Sequence, residues 1–174
     1  MTQLQYFSKD LTKMLGKYKI RILHVWMSRV FWGIFMYRFE RSLFLVFKKY
    51  YPILRVPFIP LFYMIQMYSN VDIHYKASIK GGLLVLHPAC GVVISGQSVI
   101  GENLLLTGGN FIGLKKRAEN GNFSIGDNCY MGANATLIGP LIIGNNVKIG
   151  ASACVTKSFE ADNIVLAGVP AKVM

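Results

Sequence analysis

The stretch IGDNCYMGANATLIGPLIIGNNVKIGASACV, residues 125–155, places an aliphatic side chain at every sixth position: Ile125, Met131, Leu137, Ile143, Ile149 and Val155. Glycine directly follows four of them, at Gly126, Gly132, Gly144 and Gly150. Four positions after each aliphatic residue stand Cys129, Ala135, Leu141, Val147, Ala153 and Phe159, all apolar and mostly small. Residues six apart on an α-helix lie on widely different faces of a 3.6-residue turn, so this period excludes a helix. It suits a coil with three flat faces, in which each hexad supplies one short strand and one corner and the aliphatic side chains stack inward on the coils above and below. Glycine and asparagine, as in Gly144, Asn145 and Asn146, meet the backbone demands of the corners, where positive φ is often needed. The expected fold is a mainly β, left-handed parallel β-helix.

The same phase extends upstream through Ile94, Ile100, Leu106 and Ile112, and again through Ile73, Ile79 and Val85. Two breaks interrupt it. The spacing from Val85 to Ile94 is nine rather than six, and that irregular corner holds His87; from Ile112 to Ile125 it is thirteen, which predicts a loop over 114–124 that leaves the coil. Departures from a regular repeat are where function concentrates, because the repeat itself needs only packing.

The front of the chain has another character, so the expected division is a helical, basic and aromatic segment over 1–70 and a β-helix over 71–174. Of the net charge of +11, residues 1–80 carry a surplus of ten, with 13 Lys and Arg against 3 Asp and Glu. Charges interrupt the apolar run at Arg21, Arg29, Arg38, Glu40, Arg41, Lys48 and Lys49, and the stretch from Val56 to Val71 is broken by Pro57 and Pro60, so a spanning helix is not expected. Peripheral contact with an anionic bilayer fits better, with aromatic side chains in the headgroup region and Lys and Arg facing lipid. Packing against the rest of the protein is the competing reading. With no signal peptide evident in Met1 to Tyr18, the expected location is the cytoplasm, at the inner face of the cell membrane. Three cysteines, Cys90, Cys129 and Cys154, read as buried small hydrophobes in a reducing compartment. No nucleic-acid-binding motif accompanies the basic residues, so no nucleic-acid partner is expected. With hydrophobic residues at 53% and charged ones at 16%, intrinsic disorder is excluded.

Val71-Asp72-Ile73-His74, His87 fifteen residues after Asp72, and Ala167-Gly168-Val169-Pro170-Ala171-Lys172 resemble motifs of the serine acetyltransferases and their shorter relatives, the O-acetyltransferases of envelope polysaccharide biosynthesis. The resemblance covers about residues 71–172. It implies acetyl-CoA as donor, no metal, and a homotrimer in whose inter-chain grooves coenzyme A lies. The matching positions are Ala133 and Ala151, which leave the coenzyme room, Gly113, and Lys148 and Lys172 near the phosphates. Two departures concern the acceptor: the position before the histidine is Leu86 where the serine enzymes have aspartate, and their loop-end Arg-His pair falls near Gly121 and Asn122. The long N-terminal helical domain of those enzymes also reads as missing.

Acyl transfer to an alcohol needs a base for the hydroxyl proton, and a histidine with an unperturbed pKa of about 6.5 is mostly neutral near pH 7. His87 is the candidate base. Asp72, fifteen residues earlier in a coil that repeats every eighteen, is the candidate to orient its ring. The expected reaction is acetylation of a sugar hydroxyl on an envelope polysaccharide or its lipid-linked precursor, with Asn120 and Asn122 hydrogen-bonding the acceptor. Serine O-acetylation is the alternative, and a non-catalytic scaffold a further one. A zinc hydratase of the γ-carbonic anhydrase type needs three histidines, and the β-helix has only His74 and His87.

Overall fold

In the computed structural model, which describes residues 1–115 and 122–174, five helices precede a coil of short strands. The helices are α1 (Gln3–Leu15), α2 (Ile22–Val25), α3 (Arg29–Phe47), α4 (Tyr51–Arg55) and α5 (Ile59–Ser69). Strands are numbered β1 to β15 in chain order and form three sheets. The first stacks β1 (Val71–Ile73), β4 (Val92–Ile94), β7 (Asn110–Leu114), β10 (Thr136–Gly139) and β13 (Cys154–Val155). The second holds β2 (Ser78–Ile79), β5 (Val99–Ile100), β8 (Phe123–Ile125) and β11 (Leu141–Ile143). The third holds β3 (Leu84–Val85), β6 (Leu105–Leu106), β9 (Tyr130–Met131), β12 (Lys148–Ile149), β14 (Val165–Ala167) and β15 (Lys172–Val173). Every pairing is parallel except β14 with β15, which turns the last strand back as an antiparallel edge. The fold is a parallel β-helix.

All thirteen inward positions of the six-residue phase, from Ile73 to Val155, are buried in one core. Asparagines do part of the corner work. Asn103, Asn128, Asn146 and Asn163 all adopt left-handed backbone, with φ between 55° and 60°, and their side chains form a ladder: Asn103 Nδ2 donates to Asn128 Oδ1 at 2.9 Å and Asn128 Nδ2 to Asn146 Oδ1 at 3.2 Å. Asparagine tolerates this region better than other side chains with a Cβ. Of the corner residues expected from sequence, only Asn146 has positive φ. Gly144 serves instead for close approach, since a Cβ there would meet the Glu160 carbonyl oxygen at 2.6 Å.

Two sequence expectations change. The departure from the coil is narrower than 114–124, because Leu114 pairs with Gly139 in β7 and Phe123 and Ser124 belong to β8. Of the cysteines, Cys129 is buried, with burial pushing its thiol pKa up, whereas Cys90 is exposed on a 3₁₀ turn and Cys154 half-buried.

The helices close the open end of the coil. A β-helix ends in a turn whose backbone groups have no neighbouring coil to bond, and side chains of α1 and α3 answer them. Tyr37 OH donates to Ala77 O at 2.9 Å and accepts from Ile79 N at 3.2 Å. Arg38 donates to Ile79 O at 2.6 Å and Lys80 O at 2.7 Å, and Arg41 to Lys76 O at 2.9 Å. Asp10 Oδ1 accepts from Gly82 N at 2.7 Å and Leu83 N at 2.8 Å, while Asp10 Oδ2 takes Arg38 Nε at 2.8 Å in a fully buried ion pair. Tyr37, Arg38 and Arg41 share one face of α3, at the spacing of a helical turn. Gly33 on the same helix lets it approach β1, since a Cβ there would fall 2.7 Å from Val71 Cβ. β1 begins directly after α5, whose left-handed cap is Asn70.

Removing one partner of a buried ion pair leaves an uncompensated charge, at a cost of about 3–5 kcal/mol. Arg38→Met is therefore expected to lower the free energy of unfolding by about that much in urea titrations. A loss below about 1 kcal/mol would show that the cap does not depend on this pair.

Candidate active site

His87 stands where β3 leaves the third sheet, at the head of the 3₁₀ turn Pro88–Cys90. Its backbone is tied to the second coil, N donating to Thr107 O at 2.8 Å, and its carbonyl accepts from Cys90 N at 3.2 Å. The imidazole is exposed and makes no hydrogen bond among the described residues. Gly108, at φ 137°, lies directly beneath: a Cβ there would fall 2.4 Å from the His87 carbonyl oxygen and 3.2 Å from His87 Cβ. Glycine at 108 is thus a condition for the histidine's position.

The same corner recurs in each coil. Thr107 N bonds Met131 O, Gly132 N bonds Ile149 O and Gly150 N bonds Leu166 O, while Ser152 N reaches Ala133 O at 2.8 Å. Down one edge therefore run His87, Gly108, Ala133, Ala151 and Gly168, a column of small residues with the candidate base at its head. At Gly132 even a methyl is excluded, since a Cβ would meet Ala151 N at 2.6 Å. Most of its carbonyls bond within the coil, His87 O with Cys90 N, Gly108 O with Asn134 N, Ala133 O with Ser152 N and Gly168 O with Cys154 N.

Asp72 points outward from β1, in register with Val93 of β4. It belongs to the first coil, as His87 does, and no hydrogen bond joins the two. Its nearer titratable neighbour is His74. Both line a cavity of about 210 Å³ between α3, α5 and β1, together with Glu40, Arg55 and Gln66. The His74 ring stacks on Tyr75 at 4.4 Å, and its Nδ1 accepts from Lys76 N at 3.1 Å. Desolvation, with Lys76 and Arg55 nearby, holds His74 below the usual histidine value.

The other candidate residues scatter more. Lys148 and Lys172 are exposed on the third sheet, Lys148 beside Val165 of β14 and Lys172 opposite Ala167 of the same strand. Gly113 is apart from the corner, buried in β7 opposite Ile138 and pressed by the ring of Phe111. Asn122 is exposed in the bend before β8, and Asn120 lies outside the described residues. Among the described residues no three His, Cys, Asp or Glu gather as metal ligands. The sequence reading missed a second cavity, of about 400 Å³, between α1, α2, the start of α3 and β3. Leu86 and Pro88, on either side of His87, belong to its wall. Its only signal in the sequence is the basic surplus of the front segment.

Residues 123–157 match the bacterial transferase hexapeptide family, described as six repeats. The serine acetyltransferase of Synechococcus elongatus is 31% identical over 123 residues, which is 69% of this chain and 50% of that protein. The solved serine acetyltransferase of Neisseria gonorrhoeae superposes with a TM-score of 0.78 at 27% identity, covering 99% of this chain and 66% of its own. The same enzyme in complex with serine gives 0.74 at 28%, covering 98% and 68%. Its relatives are serine acetyltransferases.

The chain spans about half the length of the Synechococcus relative it matches. These comparisons overturn the sugar reading drawn from Leu86 and the loop end, because relatives by sequence and by structure alike act on serine by name. The superposition takes in 99% of this chain but 66% of the gonococcal enzyme, so α1 to α5 follow part of that enzyme's fold and about a third of it has no counterpart here.

Proposed function

We propose that the protein is a serine O-acetyltransferase that takes its acetyl group from acetyl-CoA. The observation that carries this reading is the corner column of His87, Gly108, Ala133 and Ala151, in a chain whose relatives are serine acetyltransferases. His87 takes the proton of the serine hydroxyl as its oxygen attacks the thioester carbonyl, and the imidazolium returns that proton to the departing thiolate as the C–S bond breaks. Asp72, on β1 of the same coil, orients the base. Ala133 and Ala151 leave the coenzyme room to bond backbone groups, and Lys148 and Lys172 attract its phosphates.

Assembly and surface follow from what a single chain leaves open. The outward ladder of the first sheet carries exposed Val93 and Phe111 beside Asp72, and the corner column is only one wall of a groove. We infer a homotrimer that supplies the other wall. The front helices bury Ile34, Tyr37, Tyr51 and Phe62 but leave Leu23, Trp26, Val46, Ile53 and Met67 exposed, as are Lys48 and Lys49. No helix among the described residues is long and apolar enough to cross a membrane. We infer that this apolar, basic face rests on an anionic bilayer.

His87→Ala is expected to lower the rate of coenzyme A release by about 10²–10⁴-fold while coenzyme A still binds, and Asp72→Asn to cost less. Activity within about threefold of wild type would sink the assignment of the base. In sedimentation the active species should be a trimer, and an active monomer would refute the two-walled groove. Vesicles containing anionic lipid should retain the protein at low salt and release part of it at high salt. Partitioning unchanged after Lys48 and Lys49 become Gln, or self-association that occupies the same face, would count against the lipid contact.

A further inference from the structure

We propose that the cleft beside His87 receives the carboxylate of the acceptor, with Lys13, Arg21 and Arg29 as its counter-charges. The proposal rests on the serine acetyltransferase reading above. One wall of this cavity of about 400 Å³ is β-helix, from Leu84 to Leu86 and Pro88, and the other is helical, with Lys13 from α1, Arg21 and His24 around α2, and Ser28 and Arg29 at the start of α3. Among the described residues no aspartate or glutamate lines it. Lys13, Arg21 and Arg29 have no ion-pair partner among the described residues, whereas Lys9, Arg38, Arg55 and Lys80 each do. Arg29 is steadied by the ring of Tyr68, 5.9 Å from its guanidinium carbon. Lys13, Arg21 and Arg29 are exposed and come from three segments, so an anion entering this cleft meets three unpaired cations.

Two further features give the anion a place in the reaction. α3 is 19 residues long and its capped N-terminus, at Ser28, opens on this cleft, so the positive end of the helix adds to the cations. The corner column proposed for the donor runs from His87 toward the last coils. An acceptor must then come to His87 from the opposite side, where the front helices and this cleft stand. The volume falls in the range of about 300–1,000 Å³ usual for small-ligand pockets. The arrangement also supplies what the loop end lacks: a cationic clamp for the serine carboxylate, built from the helices instead of from the position near Gly121.

The test uses the full chain with acetyl-CoA and two acceptors, L-serine and L-serinamide, which share the hydroxyl and the amine but differ in the carboxylate. Wild-type protein is expected to prefer serine by about tenfold or more in kcat/KM, the value of one charge-assisted contact. Arg21→Gln and Lys13→Gln should each raise the KM for serine about tenfold and lower the serine-to-serinamide preference by the same factor, with Arg21→Lys recovering part of it. Both side chains are exposed, so neither change threatens folding. A serine KM within twofold of wild type in both variants would overturn the cleft assignment and leave serine acetylation standing. An equal rise in the KM for acetyl-CoA would overturn it too, by giving these cations to the coenzyme's phosphates. Wild-type protein that turns over neither acceptor would overturn the function itself, and the cleft proposal with it.

Discussion

The exposed edge of the first coil is the constraint on which this molecule turns. The inner coils have their backbone groups bonded by the coils on either side, but the run from Lys76 to Leu83 has a neighbour on one side only. Its seven outward N–H and C=O groups are taken by Tyr37, Arg38, Arg41 and Asp10. Leaving such groups buried and unpaired would cost about 1–3 kcal/mol each, so the helices are part of the β-helix in energetic terms. An open edge would also invite pairing with another chain. Asp10 and Arg38 do both tasks at once, neutralising each other while bonding backbone on the same edge.

That cap decides the surroundings of His87. The coil repeats a corner in which Gly108 and Gly132 cannot take a side chain without a clash, which fixes the track shared by the base and the proposed donor edge. α1 and α3, held on the first coil by the Asp10–Arg38 pair, carry Lys13 and Arg29 to the other side of the same histidine. Stiff repeat and helical cap meet at one residue. The part of the site that repeats geometrically suits a ligand common to many transferases, and the part built from helices is free to vary with the acceptor.

Reading the acceptor from Leu86 and the loop end led toward a sugar because a carboxylate clamp was sought along the β-helix alone. Serine brings a carboxylate that needs a cation, and in the proposal above that cation comes from the helices, at positions far in sequence from the coil. Arg21 lies 66 residues before His87 along the chain, and both belong to the surroundings of one cleft. The front helices superpose on part of the gonococcal structure despite their aromatic composition.

The coil was legible because its cause is local. Each hexad meets its neighbours at a fixed distance along the chain, so the need for an aliphatic residue inside and a small or left-handed one at the corner is written as a period of six, and Ile73 to Val155 are buried as that period requires. The two breaks in the period located His87 and the loop for the same reason. What the tertiary structure alone decided involves partners with no period between them: Asp10 with Arg38 and with Gly82, Tyr37 with Ala77, and Lys13, Arg21 and Arg29 around one cavity. Asp72 illustrates the boundary. Spacing put it near the corner of His87, but its surroundings in the folded chain, shared with His74, Glu40 and Arg55, came from how α3 and α5 lie against β1. Side chains on helices are placed by the packing of those helices against the first coil, and no repeat in the sequence encodes that packing.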